Sequence, residues 1–221
     1  AYRAALEGDP VSAYGGIVAT NRPLDLPTAQ AISDTFFEIV LAPSFEKDAL
    51  ALLEKKRNLR LLEMGEAVPA APTLDIRRVR GGLLIQSADR GEEGDWKTVT
   101  KREPTEQELA DLRFAWRAAR HVKSNAIVIA KDGSLLGMGA GQPNRLVSVS
   151  LAIDLAGEGA KGAVVASDAF FPFADGLETA LNAGIVAAVQ PGGSVRDQEV
   201  IDAADKVGAA MVFTGVRHFR H

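Results

Sequence analysis

The chain has 221 residues, which is about one and a half average domains: one large α/β unit or two small ones. At 47% hydrophobic and 24% charged residues it can bury a core, which excludes a disordered chain. A net charge of −4 argues against a dedicated nucleic-acid binder, and the lack of Cys excludes disulfides, thiol catalysis, Fe–S clusters and thiolate zinc sites together.

The chain opens at Ala1 rather than Met, inside a helix-like stretch, so we expect a piece of a longer protein. That stretch, Ala1–Glu7, has no apolar signal core, and the apolar runs Ala126–Ala130 and Ile185–Val189 fall far short of the ~20 residues of a membrane span. Ala13–Thr20 reads as a strand interrupted by Gly15 and Gly16, where a bulge or a close backbone approach is expected. Pro27–Phe36 reads as a helix, Glu38–Ala42 as a strand, Lys47–Lys56 as a helix and Leu59–Met64 as a strand. Ala67–Pro72 is Ala/Pro-rich and reads as a surface connection; Ile76–Gln86 and Thr98–Lys101 are strand-like on either side of the charged run Asp89–Asp95. We place a boundary near residue 104, giving units 1–104 and 105–221.

The second unit alternates cleanly. Thr105 with Glu108 forms a capping box for a helix running to about Val122. Ala126–Ala130 and Leu135–Gly139 flank Lys131-Asp132-Gly133-Ser134, a hairpin with an Asp-Gly turn. Asn144–Ala156 is a helix, and the buried strands 163–166, 186–189 and 210–213 alternate with helices near Asp175–Ala183 and Asp197–Val207, which Gly184 and Gly208 stop. A hairpin followed by this series predicts a three-layer α/β/α domain with a mixed sheet.

Chemistry concentrates at four places. Ser167-Asp168-Ala169-Phe170-Phe171-Pro172-Phe173-Ala174-Asp175-Gly176 follows a strand and precedes a helix, where ligands gather in open α/β sheets. Its phenylalanines are either core aromatics with Asp175 as the helix N-cap, or walls of a slot for a conjugated ring whose N–H groups Asp175 accepts. Ser124-Asn125 and the glycine-rich Gly137–Arg145 form either a tight β–α turn or a loop whose glycines let backbone approach a ligand. Arg217-His218-Phe219-Arg220-His221 is either a solvated tail or a set in which Arg217 grips an anion and a His transfers a proton. The fourth is Tyr14-Gly15-Gly16. His121 reads as a surface residue late in its helix, and three His without Cys give little support for a metal site.

Taken together, Ser12–Gly16, Glu38–Pro43, Lys123–Asn125, Gly139–Gln142, Ser167–Phe173 and Arg217–His221 resemble the transformylase part of the bifunctional AICAR transformylase/IMP cyclohydrolase family, in family order along the chain. The resemblance implies two tandem cytidine-deaminase-like units, the first incomplete, in a cytoplasmic homodimer with its active site at the interface. It implies formyl transfer from 10-formyltetrahydrofolate to the 5-amino group of AICAR ribonucleotide, with no metal, no nucleic acid and no membrane. By position it implies nucleotide contacts at Gly15, Glu38, Asn125, Phe170 and Arg217. It implies folate contacts at Arg145, Leu146, Phe173, Asp175, Ser194 and Val195, and catalytic roles for Asn125 and His221. Tyr14 stands where some members have Phe. The family's Lys-His-x-Asn-Pro-Cys-Gly-type segment, which carries the Lys and His usually assigned to proton handling, has no match here, and neither does the cyclohydrolase domain. We therefore expect this chain alone to bind ligand but to transfer formyl poorly. A competing class is a non-catalytic nucleotide- or folate-binding fragment; the missing Cys ligands and the missing His-x-Glu motif argue against a third, a zinc deaminase of the same fold, which a metal assay would test.

Overall fold

A computed structural model describes residues 1–65, 74–89 and 94–220; the Ala67–Pro72 connection and His221 lie outside the described residues. The chain divides into two compact units, Ala1–Ala88 and a second beginning at Asp89.

In the first unit, α1 (Tyr2–Glu7), β1 (Gly16–Ala19), α2 (Leu26–Ser33), β2 (Phe37–Ala42), α3 (Lys47–Leu53) and β3 (Arg60–Glu63) build a parallel sheet in the order β1-β2-β3. Asp25 caps α2 by accepting from the Thr28 amide at 2.9 Å, and hydrogen bonding from the Thr28 side chain first, then from its amide, holds its carboxyl below the ordinary range. Leu24, Ala29, Ile32, Val40, Ala49 and Leu53 close the core. β4 (Leu74–Val79) and β5 (Gly82–Ser87) form an antiparallel ribbon in which Ile76 pairs with Ile85 and Arg78 with Leu83. Strand alternation therefore puts Leu74, Ile76, Leu83 and Ile85 on one face, all exposed.

The second unit contains β6 (Lys97–Thr98), α4 (Glu106–Ala119), β7 (Ile127–Lys131), β8 (Ser134–Gly139), α5 (Arg145–Ala156), a 3₁₀ turn at Gly157–Ala160, β9 (Val164–Ser167), α6 (Ala174–Asn182), β10 (Ala187–Gln190), α7 (Asp197–Lys206) and β11 (Ala210–Phe213). The sheet order is β6-β11-β10-β9-β7-β8, with β9, β10 and β11 parallel and the β7–β8 hairpin antiparallel, so the sheet is mixed as expected. β6 falls in this unit and not before a boundary at 104, because Thr98 and Lys97 pair with Val212 and Phe213 across a ladder that local periodicity does not reveal.

Alternate residues of the buried strands feed opposite layers. Val128, Ala130, Val164 and Val189 meet Leu112, Ala115, Trp116 and Ala119 of α4. Ile127, Ile129, Val165 and Met211 meet Val149 of α5, Leu177 of α6 and Val200 of α7. The Thr105 capping box forms, although α4 ends at Ala119 and not at Val122. The two-residue loop Asp132-Gly133 takes positive φ at both positions, and the buried Asp111 carboxylate accepts both of its amides at 3.0 and 2.8 Å.

Gly137 and Gly139 have a different use from the one their sequence suggests. A Cβ on Gly139 would lie 2.0 Å from the Ser148 carbonyl oxygen, and one on Gly137 2.1 Å from that of Ala152. These glycines let α5 pack its backbone directly onto β8; the close approach is to a helix, not to a ligand.

Candidate functional site

β7 and β9 run antiparallel with Ile127 opposite Ser167, so the residues just before β7 meet those just after β9. Asn125 and Asp168 are brought together in this way. Around them opens a cleft of about 450 Å³, lined in part by Asn125, Arg145, Leu146, Phe170, Phe173, Asp175 and Arg217. Seven of the sequence-derived site residues thus share one cleft.

The three aromatic residues divide as their positions in the loop allow. Phe171 is buried and belongs to the core, with its amide donating to Gln190 Oε1 at 2.7 Å. Phe170 is half-buried and Phe173 is half exposed, so both border the cleft. Each carries a cation: the Arg217 guanidinium lies 5.1 Å from the centroid of Phe170, and that of Arg196 4.7 Å from Phe173. Phe173, not Asp175, is the N-cap of α6; Asp175 sits in the first turn and accepts from the Gly176 amide at 2.7 Å.

A buried polar network underlies the cleft. Arg145 Nη1 donates to Asp168 Oδ1 at 2.6 Å and to Ser167 Oγ at 2.7 Å, while Nη2 donates to Asn125 Oδ1 at 2.8 Å. The Asp168 side chain is fully buried, and a carboxylate there needs a countercharge. Arg145 supplies it, so its guanidinium orients protein groups rather than projecting as a free ligand hook. Asn125 Nδ2 donates to the Gln142 carbonyl at 2.8 Å, and the Asn125 carbonyl accepts from Ser148 Oγ at 2.8 Å. The Ser124–Asn125 peptide is cis.

The C-terminal segment is docked through residue 220 rather than solvated. The His218 amide donates to the Asp168 carbonyl at 3.0 Å, and Ser124 N donates to the Arg220 carbonyl at 2.9 Å. Arg220 N donates in turn to Ser124 Oγ at 3.1 Å, which itself donates to Asp168 Oδ2 at 2.5 Å. The His218 ring is buried, packs 4.7 Å from the Trp116 ring and pairs through Nδ1 with Asp89 at 2.6 Å. It anchors the tail and does not line the cleft.

His121 lies outside the cleft as well, in the turn after α4. Burial first, then the adjacent Arg120, lowers its pKa and favours the neutral ring.

Ser194 and Val195 are not among the lining residues, and Val195 is fully exposed. Their loop nevertheless borders the cleft through Arg196 on Phe173, a contact that sequence reasoning missed; the arginine directly after Ser194-Val195 was the available signal. In the first unit, Gly15 takes φ +75° and donates to the Phe36 carbonyl at 2.8 Å, beside Tyr14, whose ring lies 5.3 Å from Phe36. Glu38 pairs with Arg60 at 2.6 Å. Among the described residues, no helix is long and apolar enough to cross a membrane.

Comparison with known proteins shows what the whole chain is similar to. A family model described as AICARFT/IMPCHase bienzyme matches residues 1–155. The chain is 52% identical over 223 residues to the bifunctional purine biosynthesis protein PurH of Thermoanaerobacter sp., covering all of this chain and 44% of that protein. It is 55% identical over 234 residues to the PurH of Dinoroseobacter shibae, with 100% and 44% covered. It is 52% identical over 229 residues to the purH protein of Dictyostelium discoideum, with 100% and 42% covered. The chain thus spans less than half the length of the curated relatives it matches.

Proposed function

The chain belongs to the AICARFT/IMPCHase bienzyme family, and from that premise we propose that it serves formyl transfer from 10-formyltetrahydrofolate to the 5-amino group of AICAR ribonucleotide in purine biosynthesis. The observation that carries this reading is the meeting of Asn125, Phe170, Phe173, Asp175 and Arg217 on one cleft at the carboxyl end of β9.

The AICAR amine is a weak nucleophile, because its lone pair is delocalised into the imidazole and the neighbouring carboxamide. Transfer requires the amine nitrogen to attack the formyl carbon, the bond from that carbon to folate N10 to break, the amine to lose a proton and N10 to gain one. Asn125 suits the positioning role. Arg145 fixes its amide oxygen and Gln142 takes one of its two N–H groups, which leaves the other for the nucleotide or the developing oxyanion. Phe170 with Arg217 offers a ring face beside a cation for the nucleotide. Phe173, under Arg196, offers a second plane for the folate ring, and the Asp175 carboxylate accepts its N–H groups. By the family's pattern Gly15 and Glu38 contact the nucleotide, Ser194 and Val195 contact folate, and His221 assists proton transfer. The units are of the cytidine-deaminase-like type, and the assembly is a homodimer.

One observation favours a second reading, a chain that binds nucleotide or folate without catalysing. The cleft lining among the described residues contains no imidazole, and an amide cannot act as a base near neutral pH. Titration calorimetry with AICAR ribonucleotide and with a folate analogue, beside a formyl-transfer assay on the same sample, separates the two. Binding with turnover supports the enzyme, binding without turnover supports the second reading, and absence of both rejects the family's site at this cleft.

A further inference from the structure

We propose that Asp168 is a positioning residue, with Ser124 as its relay, that holds Asn125 and the tail bearing Arg217 as one unit across the cleft. The inference rests on the nucleotide reading of that cleft, and it concerns two residues to which that reading gives no role.

Every polar part of Asp168 is engaged. Its Oδ1 holds Arg145 at 2.6 Å, and Arg145 holds the Asn125 side chain at 2.8 Å. Its Oδ2 accepts from Ser124 Oγ at 2.5 Å, and the same hydroxyl oxygen accepts the Arg220 amide at 3.1 Å. Its carbonyl accepts the His218 amide at 3.0 Å, and its own amide donates to the Ala126 carbonyl at 3.2 Å. One arm therefore ends on the amide that faces the cleft. The other, through Ser124 Oγ, ends on the Arg220 amide, while the Asp168 carbonyl holds the His218 amide and the Ser124 amide holds the Arg220 carbonyl. The carboxylate is fully buried, so water cannot replace either arm cheaply. Arg217 is itself exposed, and the Phe170 ring is the contact that seats its guanidinium. The backbone bonds at His218 and Arg220 are what fix the point from which that side chain reaches.

Two substitutions separate the arms. Ser124→Ala removes the hydroxyl link to the Arg220 amide, leaving the backbone bonds of the tail and Arg145 on Asn125 in place; Asp168→Asn keeps the shape and removes the charge that serves both. Amide exchange by NMR should show Arg220 exchanging about threefold to tenfold faster in Ser124→Ala, with the β9 amides unchanged. AICAR ribonucleotide should bind weaker by a similar factor, and Ser124→Thr should restore both. In Asp168→Asn the Asn125 side-chain amide signal should shift together with the faster Arg220 exchange. Unchanged Arg220 exchange in Ser124→Ala overturns the proposal, as does faster exchange with unaltered nucleotide affinity. A parent chain that binds no AICAR ribonucleotide rejects the functional reading instead. The coupling then stands or falls on whether Asp168→Asn moves the Asn125 and Arg220 signals together, and if that variant does not fold, on Arg220 exchange in Ser124→Ala.

Discussion

Arg145 and Asn125 meet side chain to side chain at 2.8 Å, and the same guanidinium neutralises the buried Asp168. Removing the cation strands a carboxylate in the interior, so Arg145→Met should lose about 3–5 kcal/mol in chemical denaturation. It should also weaken both ligands, because Asn125 loses its orienting partner. An exposed folate contact would instead cost within about 0.5 kcal/mol of stability and affect folate alone. Denaturation and calorimetry on one preparation distinguish these outcomes.

Gly139→Ala should destabilise the second unit by about 1–3 kcal/mol, since the added methyl meets backbone, which cannot rotate away. The helix pushed back is α5, whose N-terminus carries Asn144 and Arg145, so ligand affinity should fall together with melting temperature. Thermal unfolding with and without ligand measures both.

Phe170 and Phe171 are adjacent and should respond in opposite ways. Phe171→Ala removes a core ring and should cost about 3–5 kcal/mol of stability. Phe170→Ala should cost far less stability but weaken nucleotide binding by about 1–3 kcal/mol, as expected for loss of a stacking face. Equal stability losses with unchanged affinity would remove Phe170 from the site.

Glu108 gives a pH prediction. Burial opposes its ionisation, but bonds from Arg102 at 2.8 and 3.1 Å and from the Thr105 amide at 2.8 Å outweigh that and hold its pKa below the ordinary 4.5. A carboxyl that titrates lower when folded contributes its full stability above the ordinary carboxylate range and loses it as pH falls through the lowered value. Glu108→Gln should therefore cost up to about 1 kcal/mol at neutral pH. The gap should close progressively below about pH 4 in a denaturation series.

Legibility followed the range of the interactions. The capping box at Thr105 and the Asp132-Gly133 turn were readable because each is settled within four residues. The candidate loop Ser167–Gly176 was also readable, since a strand, an aromatic run and a helix start lie in one stretch. The partners of Arg145 were hidden by separation: its carboxylate lies 23 residues away and Asn125 lies 20. The tail looked solvated by composition, whereas its backbone found acceptors and a donor on Asp168 and Ser124 that no local pattern announces. Gly137 and Gly139 were seen as sites of close approach, but which surface approaches is fixed by the packing of α5.

The polarity of β9, β10 and β11 gives the second unit two ends with different tolerances. Asn125, Asp168 and Phe170 lie where β7 begins and β9 ends, so an extra residue between 124 and 127 or at 167–168 would break the register that joins them. The opposite end contains Gly162, Gly184 and Gly208, each at positive φ in a helix-to-strand turn. At Gly208 nothing lies within 4 Å of an added Cβ, whereas Gly184 meets Lys161 at 3.1 Å. A fluorophore, an affinity tag or a tether to a surface therefore belongs in that turn on the exposed Val207, and not on Gly208 itself, whose φ of +70° strains any side chain despite the open space.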